Sequence, residues 1–149
     1  MQRRIVPDIV REQRLTFANE ATSVRDAVRL MVEHDVSAVM IVDPAGLRGI
    51  FTERDLARKV VAPGLDPDRV TLGAVMTQNP DTLRPDDSPR SAIEKMRSRG
   101  YRHLPVVDGT VVVGMVSVRD LYRAALGDME EDLRDLDSFV HGAGYGLTQ

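Results

Sequence analysis

Two short segments hold the residue types from which a binding site could be assembled. GIFTERD, Gly49 to Asp55, and GMVSVRD, Gly114 to Asp120, share a glycine, two apolar residues, a hydroxyl, a spacer, an arginine and an aspartate. In each, an apolar run gives way to a helical pattern at the hydroxyl, so Thr52 and Ser117 sit at a helix N-terminus. Free amides and partial positive charge make such a terminus a place for phosphate, and a hydroxyl there can join the hydrogen bonds. Asp55 or Asp120, one turn in, accepts only when ionised and could receive both hydroxyls of a ribose. Arg54 and Arg119 could add charge-assisted contacts to phosphate. The same residues also make a purely structural unit. A hydroxyl at the N-cap and an acid three residues on form a capping box, although Glu or Gln is preferred where both segments have Asp. Gly49 and Gly114 would then serve a tight approach between strands. The two readings are compatible, since a cap residue can also be a ligand residue.

The elements that must position these residues are themselves duplicated. Asp55 and Asp120 are 65 residues apart, and the same offset aligns a long window without a gap. It sets Ser23 on Ser88, Arg25 on Arg90, Ala27 on Ala92, Met31 on Met96, Asp43 on Asp108 and Leu56 on Leu121. Each copy reads as β-α-β-β-α. Ser23 or Ser88 suits an N-cap before a helical apolar pattern. The strands SAVMIVD and HLPVVD follow, then turns at Asp43–Gly46 and Asp108–Thr110, then second strands at Leu47–Phe51 and Val111–Val116. The boundaries expected are 10–66 for the first repeat, 70–126 for the second, and 127–149 for a C-terminal tail. In that tail Met129, Leu133 and Leu136 predict a short amphipathic helix over Asp128–Asp137. The glycine-rich remainder is expected to be loose. Neither half would bury much alone, so the halves are expected to pack sheet to sheet.

Composition narrows the function classes. The chain has 149 residues, no cysteine and a net charge of −3. That excludes thiol chemistry and argues against a broad nucleic-acid face, while leaving room for a local arginine cluster around a small anion. No apolar run approaches the ~20 residues that span a bilayer, and the N-terminus lacks a signal-peptide core, so a cytoplasmic protein without membrane contact is expected. His34 and His141 lack partners at metal-ligand spacing, and His103 cannot build a metal site alone. Nothing resembles a catalytic triad or a Walker loop, so no enzyme activity is expected.

Taken together, the two Gly-x-x-[Thr/Ser]-x-x-Asp segments, VMTQNPDTLRPDD at Val75–Asp87 and YRHLPVVD at Tyr101–Asp108 resemble a tandem pair of cystathionine-β-synthase (CBS) domains, or Bateman module. The resemblance covers about residues 10–124. It implies an α/β (α+β) fold in which two β-α-β-β-α repeats pack around a pseudo-twofold axis. It also implies adenosine-containing ligands such as AMP, ADP, ATP, S-adenosylmethionine or NAD, bound in two clefts between the repeats, with no cofactor required. In one cleft Thr52, Arg54 and Asp55 would hold phosphate and ribose. Thr77, Asn79, Asp81 and the strand entry Tyr101, Arg102 and His103 would form its adenine wall, with Pro105 completing the apolar-Pro step. In the other, Ser117, Arg119 and Asp120 would face Arg14, Thr16, Val36, Ser37 and Ala38. The first copy has Val39-Met40 in place of the apolar-Pro step, so a larger role is expected for Asp55 than for Asp120. Such pairs regulate an attached or separate effector protein and commonly form homodimers. A ligand-free dimerisation scaffold is the competing reading.

Overall fold

The computed structural model describes residues 3–11 and 13–141. A two-residue strand, β1 (Phe17–Ala18), leads into α1 (Val24–His34) and the hairpin β2 (Ala38–Asp43) and β3 (Gly46–Thr52). A helical turn, α2 (Glu53–Asp55), continues as a wider coil over Leu56–Val61. The second repeat follows through α3 (Leu72–Val75), β4 (Thr77–Gln78), α4 (Pro89–Arg99), the hairpin β5 (His103–Asp108) and β6 (Val111–Ser117), and α5 (Val118–His141). The fold is the expected one: mixed α/β, built from two β-α-β-β-α repeats around a pseudo-twofold axis.

Local chemistry explains most element ends. Ser23 Oγ accepts from Asp26 N–H at 3.1 Å and Ser88 Oγ from Ser91 N–H at 3.2 Å, capping α1 and α4 as expected. In the first hairpin turn Asp43 Oδ1 accepts from Ala45 N–H at 2.8 Å, and Gly46 takes a φ of +123°, a value that L side chains rarely adopt. The tail differs from expectation. No separate short helix forms over Asp128–Asp137; α5 runs unbroken for 24 residues from Val118 to His141. Ser138–Val140 belong to it, and the remaining glycine-rich residues 142–149 lie outside the described part.

The two cores are formed by exchange. Val24, Ala27, Met31, Val39, Ile41 and Phe51 of the first repeat are closed by Leu72, Val75 and Met76, which open the second. Ala92, Met96, Leu104, Val106 and Val116 of the second are closed by Ile5 and Val10, which precede the first. The offset of 65 maps Val75 onto Val10, and Ala27, Met31, Val39, Ile41 and Phe51 onto their counterparts, so both are one core built twice. Backbone bonds follow the same rule. Leu72 N–H donates to Thr22 O at 2.8 Å, and Ile5 N–H donates to Asp87 O at 2.7 Å.

The sheet edges are exchanged too. In the first repeat β3 pairs antiparallel with β4, Ile50 opposite Thr77. At the equivalent edge of β6 the side chain of Gln13 meets the main chain. Gln13 Nε2 donates to Met115 O and Met115 N–H donates to Gln13 Oε1, both at 2.9 Å. The parallel edge does repeat in backbone: Ala18 pairs with Ile41 and Leu83 with Val106.

The motif glycines sit where these edges close. A Cβ on Gly49 would lie 2.5 Å from Met76 Sδ and 2.8 Å from Thr77 O, whereas one on Gly114 would meet Gln13 Oε1 and Val10 Cγ1 at 3.2 Å. The backbone oxygen at Gly49 cannot rotate aside; the Gln13 side chain can. Gly49→Ala is therefore expected to destabilise by about 1–3 kcal/mol, as overpacking does, and Gly114→Ala by less. Thermal unfolding of the two variants side by side checks the order.

Candidate functional site

Each motif forms a closed capping box at the start of its helix. Thr52 N–H donates to Asp55 Oδ2 at 3.0 Å and Asp55 N–H donates back to Thr52 Oγ1 at 3.2 Å. Ser117 N–H donates to Asp120 Oδ2 at 2.8 Å, and Asp120 N–H to Ser117 Oγ at 3.2 Å. The hydroxyls also donate to the same carboxylate oxygens, at 3.3 and 3.0 Å. Asp thus fills the role that usually falls to Glu or Gln.

The helix termini are less open than the sequence suggests. Besides the aspartate amides, Glu53 N–H donates to Ser37 O at 3.1 Å and Val118 N–H to Arg102 O at 3.0 Å. Two of the first three helical amides at each motif are thereby satisfied within the fold. What remains for a ligand is one oxygen of each carboxylate and the basic side chains around it. Asp55 Oδ1 lies 3.4 Å from Lys59 Nζ, while Asp120 has no ion pair among the described residues.

Both motifs open onto a cleft of about 950 Å³ between the repeats. That volume lies at the upper end of the range for small-molecule sites. Thr52, Arg54, Asp55, Thr77, Asp81, Tyr101, Arg102 and His103 line it, as do Ser117, Arg119, Asp120, Arg14, Thr16, Val36, Ser37 and Ala38. Two expected residues do not. Pro105 is buried in β5, where its carbonyl accepts from Leu83 N–H at 2.8 Å. Asn79 has a φ of +45° and its N–H donates to Arg48 O at 3.1 Å, holding a turn on the far side of β3. Both serve the sheet edge, so the adjacent Thr77 and Asp81 reach the cleft without them.

Several lining residues escaped the motif-based reading. Seven arginines and one lysine face five carboxylates there, giving a cationic cleft in a chain of net charge −3. Arg58, Lys59, Arg99 and Arg123 were not anticipated, although Arg58 and Arg123 are related by the same offset of 65 as the motifs. His34 has a role that ligand spacing could not reveal. Its Nε2 lies 3.3 Å from Arg14 Nη2 and its Nδ1 2.8 Å from Thr16 Oγ1. Guanidinium can only donate, so Nε2 accepts and the proton sits on Nδ1, fixing the ring between two cleft residues.

One hydrogen bond crosses the cleft floor. Ser37 Oγ and His103 Nε2 stand 2.8 Å apart, joining the entry of β2 to the entry of β5. Burial lowers the His103 pKa from its ordinary 6.5, against Asp120 and Glu53, which raise it, and with Arg102 and Arg119, which lower it further. Among the described residues no group of His, Asp and Glu is arranged to hold a metal ion.

Comparison with known proteins agrees with this architecture. A family model for the CBS domain matches twice, at residues 6–62 and 72–127. The mitochondrial CBS domain-containing protein CBSX3 of Arabidopsis thaliana is 34% identical over 128 residues, covering 83% of this chain and 62% of that protein. The chain spans only 24% and 20% of two further Arabidopsis relatives. Among solved structures, a CBS-domain protein from Burkholderia ambifaria superposes with a TM-score of 0.76 at 31% identity, covering 83% of this chain and 94% of that one. A CBS protein from Pyrobaculum aerophilum complexed with AMP gives 0.68 at 25% identity, covering 77% and 94%. A CBS pair complexed with 5′-methylthioadenosine and S-adenosyl-L-methionine gives 0.70 at 28%, covering 78% and 92%. No described helix is long and apolar enough to cross a membrane.

The His103 environment sets a pH dependence. With its folded pKa below 6.5, the unfolded chain binds the proton first as pH falls, so this group's contribution to stability is complete above about pH 6.5 and is lost below it. Denaturant unfolding between pH 7 and 5 is expected to show that loss, and His103→Gln is expected to flatten it.

Proposed function

The chain belongs to the CBS-domain family, with two copies in tandem, and on that premise we propose that it is a regulatory module that binds an adenine nucleotide between its repeats and has no catalysis of its own. The single observation that carries this reading is the convergence of both hydroxyl–aspartate motifs on one cationic cleft of about 950 Å³. A helix cap needs no cavity in front of it, and a scaffold gains nothing from unpaired arginines there. Related pairs whose structures contain AMP or S-adenosyl-L-methionine supply the ligand class. AMP, ADP and ATP fit the cleft charge; S-adenosylmethionine and NAD are the comparison ligands.

In this reading Asp55 and Asp120 accept ribose hydroxyls, while the arginines meet phosphate. Ser37, Val36 and Ala38 on one wall and Tyr101, Arg102 and His103 on the other receive the base. Binding would signal by changing how the repeats sit, through any difference in affinity between two arrangements. The signal passes to an effector protein in trans or to further domains of a longer polypeptide.

We also propose a homodimer. Val32 of α1 is 76% exposed, and with Val28 and Leu56 it lines an apolar groove on the outer helical face. Sedimentation equilibrium at micromolar concentration is expected to give twice the 16.5 kDa chain mass, and a species of 16.5 kDa alone would refute the dimer.

Ligand binding has a direct test. Thermal shift with AMP at 100 times its dissociation constant is expected to stabilise by about 2.7 kcal/mol, a rise of roughly 5–10 °C. Asp55→Asn and Asp120→Asn should each weaken AMP by about ten- to a hundredfold, the range for a hydrogen bond to a charged group, and 2′-deoxy-AMP should bind worse than AMP. Because Lys59 shares the Asp55 carboxylate and Asp120 stands unshared, the larger loss is now expected at Asp120. Variants that bind AMP normally yet melt several degrees lower would leave the motifs as helix caps and favour the scaffold.

A further inference from the structure

Four arginines stand in the cleft as two related pairs: Arg54 and Arg58 after β3, Arg119 and Arg123 on α5. Within each pair the i,i+4 spacing places both on one helical face. The offset of 65 relates Arg54 to Arg119 and Arg58 to Arg123, so the pseudo-twofold axis sets the pairs against each other across one cavity. Their partners are unequal. Lys59 and Arg99 are paired with Asp55 and Asp81, both at 3.4 Å, and Arg54 Nη1 donates to Gly100 O at 3.2 Å. Arg58, Arg119 and Arg123 have no hydrogen-bond or ion-pair partner among the described residues.

Resting on the nucleotide reading above, we propose that the cleft selects an oligophosphate nucleotide, a di- or triphosphate, over a monophosphate and over a sulfonium cation, and that Arg58 and Arg123 set this preference. The motif arginines stand beside the carboxylates that hold the ribose, so a first phosphate falls to them. Arg58 and Arg123 lie about 6 Å further along their helices, beyond the reach of that phosphate. A phosphate monoester carries about −1.5 to −2 at pH 7, enough to neutralise one pair of guanidiniums and not two. A phosphate chain continues into the second pair. A sulfonium ligand brings positive charge to a wall that already carries an excess of it. Concave walls of one sign concentrate the opposite ion, which adds to the same preference.

Titration calorimetry on the full chain at low ionic strength tests this with four probes: AMP, ATP, S-adenosylmethionine and inorganic tripolyphosphate. ATP is expected to bind more tightly than AMP, with a steeper loss on adding salt. Arg58→Gln/Arg123→Gln is expected to weaken ATP and tripolyphosphate by about tenfold, two exposed charge contacts at the upper end of their usual worth, and AMP by less than about threefold. S-adenosylmethionine should bind the variant as well as, or better than, the native chain. Both side chains are exposed, so the unfolding temperature without ligand should not move. Equal losses for AMP and ATP, or AMP binding as tightly as ATP, would overturn the preference and leave the nucleotide site standing. Tripolyphosphate binding that the double variant weakens, with no competition from any adenine ligand, would keep the anion subsite and overturn the nucleotide reading instead.

Discussion

Neither repeat can close its own hydrophobic core, and the rest of the structure depends on that. Each leaves one side of its hairpin and helix open, and the missing apolar residues arrive from the N-terminal end of the other copy. Burying a Val, Leu or Ile side chain is worth about 1.5–3 kcal/mol, so withdrawing Ile5 and Val10, or Leu72 and Val75, removes a large share of a marginal stability. The exchange holds the repeats together more strongly than a flat sheet contact would. It also determines where the cleft lies. With each repeat reaching across the axis, the starts of β2 and β5 and the ends of β3 and β6 meet around one space.

Structure and binding share residues at that space. The hydroxyl and the inner carboxylate oxygen of each motif are spent on the capping box, and the first helical amide on a neighbouring carbonyl. A helix terminus so well satisfied offers an anion less than its geometry suggests. Side chains carry the charge instead, in the arginines that no carboxylate neutralises. The Ser37–His103 contact adds a half-buried link between the two walls.

Much of this was legible in the sequence, for identifiable reasons. The period of 65, the turn at Asp43–Gly46 and the capping serines are local signals, and each reappears in the coordinates. What a period cannot reveal is which copy a connecting segment packs against. Leu72–Met76 opens the second repeat in the chain, yet its apolar side chains join the core of the first. Asn79 and Pro105 were drawn in by proximity to real cleft residues, and backbone geometry then turned them to the sheet. Arg58 and Arg123 lie a turn beyond the motif aspartates and outside the motif pattern, and only the repeat offset links them in the sequence.

The unequal sheet edges leave the two repeats with different freedom to change. Pairing between Ile50 and Thr77 uses main-chain groups that every residue but proline supplies, so the identity of Thr77 and Gln78 is open as far as that edge is concerned. At Met115 the same two hydrogen bonds come from the amide of Gln13, a group that only asparagine shares and from a shorter stem. Of these two contacts, one depends on a conformation and the other on an amino acid. Over generations of substitution the first contact can drift in sequence while keeping its shape, whereas the second is held to a carboxamide of the right length at position 13.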